Sequence, residues 1–121
     1  MSSSIVIRAL NEAEHLPRLF DGLMSQTTPP DEIVLVDSGS TDDSVRIAEG
    51  LGAECHALPH SGALSTFRAG VDLVRTPFYV LLNGDDILDS TYVERTRPRM
   101  SDSAVGFVYT GFRWFGAAER T

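Results

Sequence analysis

Phe-Tyr-Val-Leu-Leu-Asn-Gly-Asp-Asp-Ile-Leu-Asp, residues 78–89, is the stretch on which the reading of the fold turns. The apolar run Phe78 to Leu82 is short enough for a strand buried on both faces, and it leads directly into Asn83, Gly84, Asp85 and Asp86. Carboxylates at the carboxyl end of a parallel strand stand where open α/β sheets bind ligands, beside the point at which strand order reverses. With no lysine beside them, adjacent carboxylates repel an anion directly, but they suit Mg²⁺ or Mn²⁺, whose remaining positions take phosphate oxygens. The same residues also suit an ordinary solvated turn, because Gly and Asp favour turns for backbone reasons.

Upstream, the pattern alternates between strand and helix. Ile5-Val6-Ile7 reads as a first strand, Asn11 as the cap of a helix with Glu14 three residues on, and Leu16, Leu19, Phe20, Leu23 and Met24 as that helix's apolar face. Pro17 falls in the first turns, where it is best tolerated. Thr27-Thr28-Pro29-Pro30 stops the helix, and Ile33 to Val36 is a second buried strand ending at Asp37-Ser38-Gly39-Ser40. A second helix from Thr41 turns Val45, Ala48 and Leu51 inward and ends at Gly50 to Gly52. Ala53 to Leu58 is a weaker strand; Leu64, Phe67, Val71 and Val74 then recur at helical spacing until Thr76-Pro77. Such alternation with short connections predicts a mostly parallel sheet, flanked by helices on both faces, in an α/β fold. Beyond Asp89, Ser90 is the expected cap of a short helix through Arg97, and the aromatic run 105–115 reads as a last strand through which copies of the chain could associate.

Composition narrows the function. The 121 residues make one domain, and 42% hydrophobic with 22% charged residues is a globular balance. A formal net charge of −7 argues against nucleic acid as a partner. All ten basic residues are arginine, which removes a P-loop lysine, Schiff-base chemistry and a lysine base together. It also removes the receiver-domain reading that size and acidity would otherwise allow. Neither G-x-G-x-x-G nor G-x-x-x-x-G-K-S/T occurs. Cys55 is alone, so a reducing, cytoplasmic setting is expected, with attachment to the inner face of the membrane left open. His15, His56, His60 and Cys55 match no zinc spacing and read as structural or surface residues. Asp37 and Asp85-Asp86 are expected at one edge of the sheet, with the backbone amides of Gly39 to Asp42 offered to an anion or a base; capping of its own turn is the alternative role for Asp37.

Four blocks carry a family resemblance: Ser-Ile-Val-Ile-Arg-Ala-Leu-Asn-Glu at 4–12, Glu-Ile-Val-Leu-Val-Asp-Ser-Gly-Ser-Thr-Asp at 32–42, Gly-Ala-Leu-Ser-Thr-Phe-Arg-Ala-Gly at 62–70 and Leu-Leu-Asn-Gly-Asp-Asp at 81–86. In this order they resemble the successive motifs of the family 2 glycosyltransferases, which have a GT-A fold. The resemblance implies an inverting transferase using a UDP, dTDP or GDP sugar with Mg²⁺ or Mn²⁺, in cell-envelope polysaccharide or glycolipid synthesis, on a glycan or lipid-linked acceptor. It implies that Ala9, Leu10 and Asn11 line the nucleotide pocket, that Asp37 accepts a hydrogen bond from the base, that Ser38, Gly39 and Gly84 belong to the nucleotide-sugar site, and that Arg68 faces the base or diphosphate. Asn83 would reach the ribose and Asp85 the metal, with Asp86 as an outer or alternative ligand. Asn83 stands where the family has the first Asp of its Asp-x-Asp motif, Arg8 where Pro is commoner, Leu10 where an aromatic is frequent and Ser38 where a second Asp is frequent. The catalytic base of the family lies in a later segment, so residues 1–121 are expected to be an incomplete sugar-nucleotide domain. A non-catalytic nucleotide-binding module is the alternative.

Overall fold

The apolar runs at 5–7 and 33–36 become the two central strands of a parallel sheet, because only there are both faces of a strand covered. In the computed structural model, which describes residues 2–108, 110 and 111, the chain runs β1 (Ser3–Ala9), α1 (Leu16–Met24), β2 (Glu32–Asp37), α2 (Ser44–Gly50), β3 (Glu54–Ala57), α3 (Ala63–Leu73), β4 (Phe78–Asn83) and α4 (Tyr92–Thr96). A 3-10 turn over Arg97–Ser101 follows. The strand order is β3-β2-β1-β4, all parallel. The order therefore reverses between β1 and β4, and the carboxyl ends of the strands at such a reversal are where open α/β sheets bind ligands.

Alternation along the strands divides the core. Ile5, Ile7 and Ala9 of β1, Ile33 and Leu35 of β2 and Leu82 of β4 pack with Leu16, Leu19, Phe20 and Leu23 of α1 and Ala48 of α2. On the opposite face Val6 and Val36 lie beneath Gly70 of α3. Helices thus cover both faces, as the alternating pattern predicts.

Several expectations require correction. Asn11 does not cap α1, which begins at Leu16 with Pro17 in its first turn; Asn11 instead has a left-handed backbone, φ 54. Met24 and Leu51 are exposed, at 59% and 39%, because each falls at the end of its helix, past the sheet. On α3 the residues buried against the sheet are Thr66 and Gly70, with Leu64 83% exposed. A helix drawn this close to a sheet selects small side chains at the contact, which hydrophobic spacing does not reveal. β4 is not buried on both faces: Tyr79 and Leu81 are each 46% exposed, since β4 is the outer strand of the described sheet and α3 packs on β1 and β2. A groove of about 570 Å³ beside β4 is lined by Tyr79, Leu81, Tyr92, Met100 and Phe107. Asp89, rather than Ser90, organises the entry to α4, its carboxylate accepting from the Thr91 amide at 2.9 Å and hydroxyl at 2.8 Å. Of the predicted strand at 105–115, residues 105–108, 110 and 111 have no strand geometry, and the rest lies outside the described residues.

Candidate functional site

Register places the predicted residues on one edge. Ala9 pairs with Asp37 on one side of β1, and Arg8 pairs with Asn83 on the other. Asp37 and Asn83 are therefore one strand apart, roughly 10 Å at ordinary strand spacing. The loop after β1 runs between them and is half-buried or exposed from Leu10 to His15, with Leu10 itself 41% exposed.

The loops after β1 and β2 are latched together. The Asn11 amide donates to Ser40 Oγ at 2.8 Å, the Glu12 amide to Ser44 Oγ at 2.8 Å and the Ala13 amide to Asp42 Oδ2 at 3.2 Å. In return Asn11 Oδ1 accepts from the Thr41 amide at 2.8 Å and the Asp42 amide at 3.4 Å. Asn tolerates the left-handed backbone at position 11 better than a residue with a bulkier side chain, which explains why it can make this link. The Ser44 hydroxyl and amide in turn hold the Asp42 carboxyl below its ordinary range. The paired loops form one preorganised wall.

Asp37 holds that wall from within. It is 4% exposed; its Oδ2 accepts from the amides of Gly39 at 3.0 Å and Ser40 at 2.8 Å, and its Oδ1 from the Ser40 hydroxyl at 2.5 Å. The capping role, offered above as the alternative, is the one the geometry displays. The amides of Gly39 to Asp42, expected to face a ligand, are all spent internally, on Asp37 and on Asn11 Oδ1. Ser38 is buried and shares a 3.0 Å hydrogen bond with Thr66 Oγ1, which ties this loop to α3. Gly39 has φ 115, a left-handed value that favours glycine, and its Cα faces the backbone of Pro59 and His60.

On the β4 side, the Gly84 amide donates to Arg8 O at 3.0 Å, and Asp86 Oδ2 accepts from the Asn83 amide at 2.8 Å. Asp86 is half-buried, and burial pushes its carboxyl up while the Asn83 amide opposes the shift. Asp85 is exposed, so its carboxylate is the one turned to solvent at this edge. Glu12 lies over Gly84 so closely that a Cβ there would stand 2.7 Å from Glu12 Cγ. Burial, then Asp85 and Asp42, raises the Glu12 carboxyl, against opposing contributions from His15 and Arg8. Glu12 is the residue that sequence reasoning missed. Its signal was its place directly after Asn11, but its proximity to Asp85 depends on β1 pairing with β4.

That shift has a measurable consequence. A carboxyl raised in the folded state above its unfolded value favours folding while protonated, and this advantage is lost as pH rises through the folded pKa. Glu12→Gln keeps the packing on Gly84 and removes the charge. It is expected to melt higher than wild type at pH 7, with the difference closing below about pH 4. A Glu12→Gln chain that melts lower than wild type at pH 7 would contradict the geometry.

Arg68 is the predicted residue that the structure sets apart. It is exposed on α3, two positions from Thr66 and thus on the far side of the helix from the buried Thr66–Gly70 face. Among the described residues no three His, Cys, Asp or Glu side chains converge into a metal cage. Mg²⁺ and Mn²⁺ do not require one, since one or two carboxylates complete their shell with phosphate oxygens and water. Asp85, with Glu12 beside it, fits that pattern; Asp86 has already committed an oxygen to its loop. Among the described residues no helix is long and apolar enough to cross a membrane.

Comparison with known proteins places this architecture. A PGL/p-HBAD biosynthesis glycosyltransferase of Mycobacterium tuberculosis is 36% identical over 132 residues, covering 94% of this chain and 50% of that protein. Glycosyltransferase GlyG of Streptococcus pneumoniae is 24% identical over 116 residues, covering 88% of this chain and 38% of that protein. The chain spans about half the length, or less, of these curated relatives. Among solved structures, Staphylococcus aureus TarS superposes with a TM-score of 0.74 at 22% identity, over 85% of this chain and 20% of that one. Glucosyl-3-phosphoglycerate synthase from Mycobacterium tuberculosis, solved with Mn²⁺, UDP and glucosyl-3-phosphoglycerate, gives 0.60 at 24% identity, over 69% and 33%. These likenesses carry the fold, a GT-A arrangement of parallel strands and flanking helices. The family model for glycosyl transferase family 2 matches residues 4–121, and with the mycobacterial relative it shows that this chain belongs to that family.

Proposed function

We propose that this chain is the sugar-donor-binding part of an inverting glycosyltransferase that uses a nucleoside diphosphate sugar and a divalent cation, acting in cell-envelope polysaccharide or glycolipid synthesis. The observation that carries the reading is the reversal of strand order between β1 and β4, where the latched loops after β1 and β2 bring Glu12 over Gly84 and beside Asp85. The relative's involvement in PGL/p-HBAD biosynthesis supports the glycolipid setting, and the UDP and UDP-GlcNAc complexes of TarS support a uridine nucleotide.

In such a transfer the bond between the anomeric carbon and the diphosphate breaks as the acceptor hydroxyl attacks from the opposite face, and its proton passes to a base. Mg²⁺ or Mn²⁺, when bound, would neutralise charge on the departing diphosphate. This chain's part is to bind and orient the nucleotide. The backbone from Ala9 to Asn11 is fixed by the latch, Leu10 offers an apolar contact to the base, and Asn83 lies beside the crevice for the ribose. Gly84 keeps the β4 loop close beneath Glu12, and Asp85 would hold the cation. Ser38 and Gly39, locked by Thr66 and Asp37, set the height of the wall. We assign the catalytic base to no residue of this chain.

Calorimetric titration of UDP, dTDP and GDP into the chain, with Mn²⁺ and with EDTA, tests the proposal. At least one nucleotide is expected to bind, about tenfold or more tightly with Mn²⁺. No binding of any of the three in the presence of Mn²⁺ would overturn the proposal.

A further inference from the structure

We propose that Arg8 is a direct ligand of the donor's diphosphate, supplying within the protein part of the positive charge that the site needs; this rests on the donor-site reading above. Arg8 is the penultimate residue of β1, at the reversal point of the sheet, and is in register with Val36 on one side and Asn83 on the other. Paired residues of neighbouring parallel strands point to the same face, so Arg8 and Asn83 stand side by side at the carboxyl ends of β1 and β4. Arg8 is half-buried, and its Nε is shielded from solvent without a hydrogen-bond partner. A buried donor left unmade is costly, and a guanidinium costs more than a neutral group. The guanidinium is thus held at the ligand edge without a protein acceptor at Nε, and its planar fork matches the oxygens of an arriving phosphate.

The surrounding charges favour this residue over Arg75, Arg46 and Arg68. Arg75 is bound to Glu32 at 3.1 Å and to Glu54 at 3.0 Å, Arg46 to Asp43 at 2.9 Å, and Arg68 is exposed on the outer side of α3. The chain has no lysine and a net charge of −7, so a diphosphate entering between Glu12 and Asp85 meets an acidic field. Position 83 is an amide rather than an acid, and position 8, its direct partner across the ladder, is a cation. Together they shift this strand-end edge toward binding diphosphate with the protein's own charge, in addition to a metal.

The test is titration of UDP and of uridine into wild type and Arg8→Gln in EDTA, repeated with Mn²⁺, and with GDP or dTDP and their nucleosides if that base is preferred. In EDTA, wild type is expected to retain measurable diphosphate affinity that Arg8→Gln loses by about tenfold to a hundredfold, with nucleoside affinity unchanged within about twofold. Arg8→Lys, which keeps the charge but not the fork, is expected to fall between them and serves if Arg8→Gln does not fold. Equal diphosphate affinity in wild type and the folded variants overturns the role of Arg8 while leaving the donor site standing. Equal losses for diphosphate and nucleoside also overturn it, because they mark a structural role. A wild type that binds no nucleotide even with Mn²⁺ overturns the donor-site reading and this inference together.

Discussion

Gly70→Ala is expected to destabilise the chain by about 1–3 kcal/mol, although the same change in an exposed helix would stabilise it by up to about 1 kcal/mol. A Cβ at position 70 would stand 2.4 Å from Val6 Cγ1 and 3.3 Å from Val36 Cγ2. Neither valine can retreat. Val6 is 0% and Val36 1% exposed, and both belong to central strands whose backbones are fixed by ladders on each side. The added methyl must therefore lift α3 off the sheet, which strains the Thr66–Ser38 hydrogen bond and the loop that Asp37 holds. Thermal or urea unfolding measures the first effect, and nucleotide affinity reports the second. Val6→Ala in the Gly70→Ala background vacates the space the methyl needs, so the double variant is expected to be less destabilised than the sum of the singles. Strict additivity, or a Gly70→Ala chain as stable as wild type, would mean that α3 rides higher on the sheet than described.

The contact at Gly70 also shows where sequence reading stops. Ile5 to Ile7 and Ile33 to Val36 were legible as strands because burial on two faces demands an unbroken apolar run, and α1 because Leu16, Leu19, Phe20 and Leu23 repeat at the helical period. The inward face of α3 was not legible: its contacts are Thr66 and Gly70, chosen for smallness rather than hydrophobicity. Nor could the run at Phe78 to Leu82 disclose that one face of β4 lies open, since an apolar run records the need for cover and not the neighbour that supplies it. At the site, the carboxyl-end positions of Asp37 and Asp85 followed from strand alternation. The engagement of Asp37 by Gly39 and Ser40, and of Asn11 by Thr41 and Asp42, depends on loop geometry that spacing cannot specify. Glu12 stayed hidden for a topological reason: it meets Gly84 only because the chain crosses back to place β4 beside β1.

That crossing brings Asp85 and Asp86 to the carboxyl-end edge beside β1 with different freedom, and substituting them separately should split their roles. Asp85→Asn is expected to abolish the Mn²⁺-dependent part of nucleotide binding, a loss of about tenfold or more, because the cation then faces an amide where it had an exposed carboxylate. In EDTA the same variant should bind nucleotide as well as wild type or slightly better, since one negative charge near the diphosphate is gone. A second readout needs no ligand. Asp85 is among the causes that raise the Glu12 carboxyl, so an NMR titration of Asp85→Asn should find Glu12 moved back toward its ordinary range. Asp86→Asn retains an oxygen able to accept from the Asn83 amide, and it removes a carboxyl that burial already disfavours in its charged form. Its expected effect on Mn²⁺ dependence is therefore small. The opposite outcome, with Asp86→Asn losing the metal effect and Asp85→Asn keeping it, would move the cation to the inner side of the loop. It would also require the Asn83 turn to open when the ligand binds.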